Sequence, residues 1–106
     1  MTKNDQVKIH KVFTKSQWLE FNNTGSFSGS PIDLKDGFIH LSGQEQVQGV
    51  LERHFKGIRP LFVAEFASVD FGDSLVWEIS NSGGTYPHLY GVALWLDEVV
   101  SWYMIE

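Results

Sequence analysis

The sequence predicts an α+β fold, with two helices in the N-terminal half and a β-rich second half. Two helical signatures lie before residue 58, and four apolar strand-like runs lie after residue 60. That order does not alternate strand and helix as a parallel sheet would require. With 106 residues, 42% of them hydrophobic and 20% charged, the chain has the size and composition of one globular domain spanning residues 1–106.

Val7 to Phe13 reads as the first strand, with His10 on the face opposite Val7 and Ile9. Thr14 and Gln17 have capping-box spacing and open a short helix carrying Trp18 and Phe21, which Gly25 stops. Residues 25–36 are rich in Gly, Ser, Asp and Pro and read as a surface loop that covers a pocket. Phe38 to Leu41 reads as a second short strand whose period of two puts Phe38, His40 and Ser42 on one face. Ser42 and Glu45 repeat the capping-box spacing. The helix after them places Val47, Val50, Leu51, His54 and Phe55 on a core-facing stripe ended by Gly57. Strands are then expected over Leu61 to Phe66, Leu75 to Ser80, Val92 to Leu96 and Val99 to Ile105, with turns at Phe71-Gly72-Asp73 and Ser82-Gly83-Gly84.

Two motifs, Gly37-Phe38-Ile39-His40-Leu41-Ser42 and Pro87-His88-Leu89-Tyr90-Gly91, set an imidazole among apolar residues beside a backbone-fixing Gly or Pro. Imidazole is the side chain most readily put to work near neutral pH. His40 leads from a strand into a capped helix, where it is a candidate donor to a ribose or phosphate oxygen or, equally, a buried histidine bonded to a carbonyl. In an extended segment His88 and Tyr90 point the same way, so His88 is a candidate substrate contact and Tyr90 a stacking ring; equally, Pro87 to Gly91 reads as a rigid turn that docks Tyr90 into the core. Glu78 shares a strand face with Val76 and Ser80, and Trp77 lies on the other face with Leu75 and Ile79. If its face lines a pocket, Glu78 is a candidate acid, base or hydroxyl anchor; if it faces solvent, it is ordinary. On local evidence His10 and His54 read as structural.

Other classes are disfavoured. The formal charge is −5 with two arginines, Arg53 and Arg59, so no nucleic-acid partner is expected. Residues 1–6 are polar and read as a flexible N terminus without a signal peptide, and no run suits a membrane span. The chain has no cysteine, which fits a cytoplasmic location. No His pair has HxxxH or HxH spacing, so no metal is expected, and neither a phosphate loop nor a nucleophile elbow is present.

In order, Ile9-His10, the Gly37–Ser42 motif, Gln46, Trp77-Glu78 and the Pro87–Gly91 motif resemble a small bacterial family, domain of unknown function 952, over about residues 7 to 100. Members usually carry an aromatic residue and a tyrosine where Ile9 and Phe27 stand. The resemblance implies a compact, split, mainly antiparallel β-sheet with two flanking helices, similar to the ADP-ribosyltransferase fold around an NAD cleft. The arrangement of His10 with Phe38-Ile39-His40-Leu41-Ser42 is similar to that in the RNA 2′-phosphotransferases, which use arginines and a basic surface for RNA, whereas this acidic chain has two arginines. By position, His10 and His40 would hold the ribose and pyrophosphate side of NAD, with Ser42 beside them. Tyr90 or Trp77 would hold the nicotinamide ring, and His40, His88 and Glu78 would be the catalytic groups.

Three functions follow as expectations. One is an ADP-ribosyltransferase-like enzyme acting on NAD or a related nucleotide. The second is a binding module without turnover, and the third a metal-dependent small-molecule enzyme. In each the partner is a small-molecule or nucleotide ligand and the chain is a monomer. Fold analogy alone does not establish an activity.

Overall fold

The computed structural model describes residues 7–81 and 83–106; the expected N-terminal tail, residues 1–6, and Ser82 of the expected turn lie outside the described residues. Nine strands and three α-helices are formed among them: β1 (Lys8–Thr14), α1 (Lys15–Thr24), β2 (Ser26–Phe27), α2 (Pro31–Asp36), β3 (Ile39–His40), β4 (Ser42–Gly43), α3 (Val47–His54), β5 (Leu61–Ala67), β6 (Leu75–Ile79), β7 (Thr85–Leu89), β8 (Leu94–Trp95) and β9 (Val99–Ile105). All pairing is antiparallel. The strands build a four-stranded sheet in the order β4-β1-β5-β9, a three-stranded sheet in the order β3-β7-β6, and a β2-β8 pair. This is an α+β fold of mainly antiparallel sheets.

The larger sheet is covered on both faces, because successive side chains of β1 and β5 alternate between two apolar clusters. Ile9, Phe13, Ala64 and Phe66 pack with Trp18 and Phe21 of α1 and with Phe27, Ile39, Leu41, Leu89 and Leu94. Val12, Leu61 and Val63 pack on the opposite face with Val47, Val50, Leu51 and Phe55. Phe13 anchors the first cluster, stacking on Phe21 with centroids 5.1 Å apart and meeting Phe27 edge-on at 5.0 Å. Each such ring pair adds about 0.5–1.5 kcal/mol beyond the area it buries.

The capped helix α1 forms as its sequence predicts. The Thr14 hydroxyl accepts from Gln17 N–H, Gln17 Oε1 accepts from Thr14 N–H, and Gly25 ends the helix at φ 86°. In place of the expected loop over residues 25–36 the chain folds α2. Ser30 and Asp33 close a capping box around Pro31 at the first turn, and Gly37 ends the helix at φ 87°.

The expected strand from Phe38 to Leu41 is divided instead between two sheets. His40 pairs with His88, whereas Ser42 pairs with His10. Leu41 N–H donates to the Pro87 carbonyl at 3.1 Å, so the chain changes sheets at that residue. The expected Ser42–Glu45 cap is shifted by one residue, because Gln46 Oε1 accepts from Gly43 N–H at 2.7 Å. On α3, His54 is exposed and does not join the apolar stripe. The expected strand over Val92 to Leu96 contracts to β8. β7 was not expected, since Pro87 suggests a turn. Proline is tolerated there at the end of the short β3–β7 ladder, where Pro87 still accepts from Leu41 N–H through its carbonyl.

Candidate functional site

The β3–β7 register sets His40 directly opposite His88. Their rings meet edge to face with centroids 5.6 Å apart. Phe38 covers both, 4.5 Å from His40 and stacked 4.0 Å from His88, and it touches Tyr90 at 5.2 Å. Both imidazoles are oriented through Nδ1 by a carboxylate, but from different elements.

On the His40 side the orienting group is Asp33 of α2, with Oδ1 2.7 Å from His40 Nδ1. The same oxygen accepts from His40 N–H at 3.1 Å, and Oδ2 accepts from Lys11 Nζ at 3.0 Å and from Ser30 N–H at 2.8 Å. Lys11 Nζ also donates to the His40 carbonyl at 3.0 Å. Burial opposes ionisation of Asp33. The His40 contact, the Lys11 charge and the two backbone donors outweigh it and hold the carboxyl well below the usual carboxylate range. Burial likewise lowers the Lys11 ammonium, with Asp33 opposing that shift. His40 Nε2 faces a second carboxylate, Asp36 Oδ2, at 3.1 Å.

On the His88 side the orienting group is Glu78 of β6, with Oε1 2.6 Å from His88 Nδ1. The Tyr90 hydroxyl donates to the same oxygen at 2.6 Å. The bond from Tyr90, then that from His88, lowers the Glu78 carboxyl, and the bond to Glu78 raises the Tyr90 phenol. Glu78 shares its face with His88 because it sits opposite Tyr86 in the β6–β7 ladder, two residues along.

His40, His88, Ser42 and Asp36 border a cleft of about 700 Å³ between α2 and the C-terminal turn of α3. Its rim also carries Tyr86, His54 and Arg53, whose Nη2 donates to the Tyr86 hydroxyl at 2.7 Å. The size is that of a small-ligand site. Gln46 ties the cleft wall together, accepting from Gly43 and donating from Nε2 to the Thr85 carbonyl at 2.7 Å.

The structure thus brings together His40, His88, Glu78 and Tyr90, with Ser42 on the cleft wall. His10 pairs with Ser42 but has no contact with the two facing imidazoles, and Trp77 has none either. His10 points to the α3 side of the larger sheet, with Nε2 3.4 Å from Glu65 Oε2, and burial lowers its imidazole pKa against the pull of Glu65. Trp77 lies on the opposite face of β6 from Glu78 and is exposed. Sequence reasoning missed Asp33, Asp36, Lys11, Arg53 and Tyr86. A signal for Asp33 is present, the Ser30-Pro31-Ile32-Asp33 box, and a lysine inside the apolar run of β1 calls for a buried acid.

Among the described residues, no group of three or more His, Asp or Glu side chains is arranged to hold a metal ion. None of their helices is long and apolar enough to cross a membrane.

The family model described as Protein of unknown function (DUF952) matches residues 12–102. The chain is similar to protein CC0527 from Caulobacter crescentus. The crystal structure of that protein is 35% identical in sequence with a TM-score of 0.87, and the match covers 93% of this chain and 86% of that one. The solution NMR structure of the same protein gives 36% identity and a TM-score of 0.78, covering 91% of this chain and 82% of that one. No curated protein matches the sequence.

Proposed function

The chain belongs to the DUF952 family, and from that premise we propose that its cleft is a nucleotide-type pocket in which His40 and His88 work on the bound ligand. The specific form of the proposal is an ADP-ribosyltransferase-like enzyme, with NAD or a related nucleotide as substrate. The observation that carries it is the facing pair of imidazoles, 5.6 Å apart and each fixed at Nδ1 by a carboxylate, at the edge of a ligand-sized cleft. Fixing Nδ1 aims Nε2, the atom that exchanges a proton or bonds a hydroxyl.

Breaking a nicotinamide–ribose bond develops positive charge on the sugar, which nearby carboxylates stabilise. In this reading His40 orients the ribose and His88, polarised by Glu78, acts as the general acid or base. Tyr90 and Phe38 supply the aromatic surface for a planar ring. Glu78 acts through His88, because its near oxygen already serves two partners. We place this activity in a cytoplasmic monomer that binds no nucleic acid.

A second reading, a binding module without turnover, has its own support. Both ring nitrogens of His40 face carboxylates, so proton exchange there requires Asp36 to move, whereas ligand binding does not.

The deciding experiment is an amide NMR titration with NAD, ADP-ribose and nicotinamide, followed by a nicotinamide-release assay. Saturable shifts at residues 37–42 and 87–91 that His40→Ala abolishes are expected. Release that stops in His88→Ala selects the enzyme, and binding without release selects the module. No shifts at millimolar ligand would end the nucleotide reading.

A further inference from the structure

At the far end of the cleft, Arg53 stands out electrostatically. The chain carries 13 acidic residues against 8 basic ones. Even so, Arg53 forms no ion pair among the described residues. Its bonded partner across the chain is a neutral phenol, Tyr86, at 2.7 Å. The other cation on the wall, Lys11, is already neutralised by Asp33 at 3.0 Å. Asp33 and Asp36 are both turned toward His40.

The guanidinium lies over an unusual residue. Gly49 sits one turn earlier inside α3, where glycine weakens a helix. A Cβ at that position would come 2.9 Å from Arg53 Nη1. The bare backbone is therefore a seat on which the guanidinium lies back toward β7. A basic residue in the last helical turn is favoured by the helix dipole alone. The dipole does not account for the seat or for the bond to Tyr86.

We propose that Arg53, seated on Gly49 and held by Tyr86, is an anion subsite of the cleft, and that the ligand is a phosphate ester or pyrophosphate whose phosphate end docks there while its other end meets His40 and His88. The inference rests on the nucleotide-type reading of the cleft and names the charged group that such a ligand must present. Arginine has five N–H donors in a planar fork suited to phosphate oxygens, and Tyr86 accounts for one of them. Tyr86, accepting from Arg53, keeps its own O–H to donate to the same anion. His54, next along the rim, adds a second polar group without a carboxylate partner among the described residues.

The test uses the full chain labelled with ¹⁵N and titrated with inorganic pyrophosphate, ADP-ribose and nicotinamide riboside, with sodium chloride holding the ionic strength. Pyrophosphate and ADP-ribose are expected to shift the Arg53 Nε–H and the amides of residues 49–54 and 86. ADP-ribose should bind at least tenfold more tightly than nicotinamide riboside. Arg53→Lys, which keeps the charge but loses the fork, should weaken ADP-ribose about tenfold. Gly49→Ala separates the subsite from folding. It should raise Tm by about 2–8 °C by improving the helix, yet weaken ADP-ribose by displacing the guanidinium. Nicotinamide riboside shifting residues 37–42 and 87–91, with pyrophosphate silent and Arg53→Lys without effect, would overturn the subsite and leave the cleft reading intact. Pyrophosphate binding at residues 49–54 while neither riboside nor ADP-ribose reaches the histidines would overturn the nucleotide reading and the single spanning ligand with it, leaving only an anion contact at Arg53. Silence from all three ligands overturns both.

Discussion

The two histidine–carboxylate pairs of the cleft are nearly identical in length, 2.7 Å for His40–Asp33 and 2.6 Å for His88–Glu78, yet they sit in opposite environments. The Asp33 side chain is 1% exposed and shares its charge with a buried lysine, whereas the Glu78 side chain is 40% exposed and shares its oxygen with a tyrosine hydroxyl. Equal geometry therefore does not mean equal energy. Around Asp33 the carboxylate and the Lys11 ammonium have been taken from water and depend on their partners, although the His40 ring itself stays 36% exposed. Glu78 is open to water, which replaces any partner that its carboxylate loses, although His88 itself is largely covered. The first pair holds the fold together around its histidine, and the second sets the orientation of its histidine with little effect on folding.

The sharpest way to break this comparison is Asp33→Ala. The substitution removes the ionic partner of Lys11, breaks the Asp33 half of the α2 capping box and frees His40 Nδ1, and breaking a buried pair of this kind costs about 3–5 kcal/mol. Urea unfolding should show that loss as a lower midpoint at an unchanged slope. A cost as small as that of an exposed pair would mean that burial does not separate the two sites.

Acid titration distinguishes the regions without mutation. The Asp33 carboxyl is held below its ordinary value of 3.8, so the stability it contributes is complete above about pH 4 and is lost as pH falls below that. His10 is lowered from 6.5, so the unfolded chain takes up its proton at higher pH than the fold does, and stability declines as pH falls below about 6.5. Two separate descents are expected in a plot of unfolding free energy against pH. Asp33→Asn should remove the lower one, and His10→Gln the upper one. A single descent confined below pH 4 would show that His10 titrates alike in folded and unfolded chains.

How much of this was legible in sequence follows the range of the interactions. The capping box at Thr14–Gln17, the helix from Val47 and the strands Leu61–Ala67 and Val99–Ile105 are set by neighbours within a few residues, and the sequence reading found them. His40 and His88 stood out because Gly and Pro frame them locally. Strand period alone separates Glu78 from Trp77, as the β6–β7 ladder does, but leaves open whether the Glu78 face lines a pocket or meets solvent. Asp33 was hidden because the Ser and Pro that cap α2 have the composition of a loop. Lys11 was overlooked because its partner lies 22 residues away, and Arg53 with Tyr86 because 33 residues separate them. His10 and Trp77 were grouped with the site by motif order. Sheet geometry then sent them to other faces, and no single-sequence pattern records which sheet a two-residue strand will join.

A smaller effect is expected at the exposed pair. Glu78→Gln should leave Tm within a few degrees of wild type, since the carboxylate is solvated and an amide can still meet Tyr90. The change should appear instead at His88. An amide no longer fixes the Nδ1–H tautomer, so long-range ¹⁵N–¹H correlations should report a mixture of ring tautomers, and nicotinamide release, where it occurs, should slow. A large fall in Tm with the His88 tautomer unchanged would reverse the roles assigned to the two pairs.

The smallest effect is expected at Asp36, and its sign is the informative part. Asp36 is half-exposed and meets His40 Nε2 at 3.1 Å, the atom that the cleft ligand is proposed to reach. A carboxylate there competes with any anionic or hydroxyl oxygen for the same donor, and it adds negative charge on the side from which a phosphate would approach. Asp36→Asn should therefore barely change stability. It should tighten ADP-ribose by about two- to fivefold, the range of a weak exposed ion pair given up on binding. Tighter binding makes Asp36 an internal competitor that the ligand displaces. Weaker binding would make it a ligand contact in its own right, and the buried Asp33 would then be the only carboxylate holding His40 once the ligand is bound.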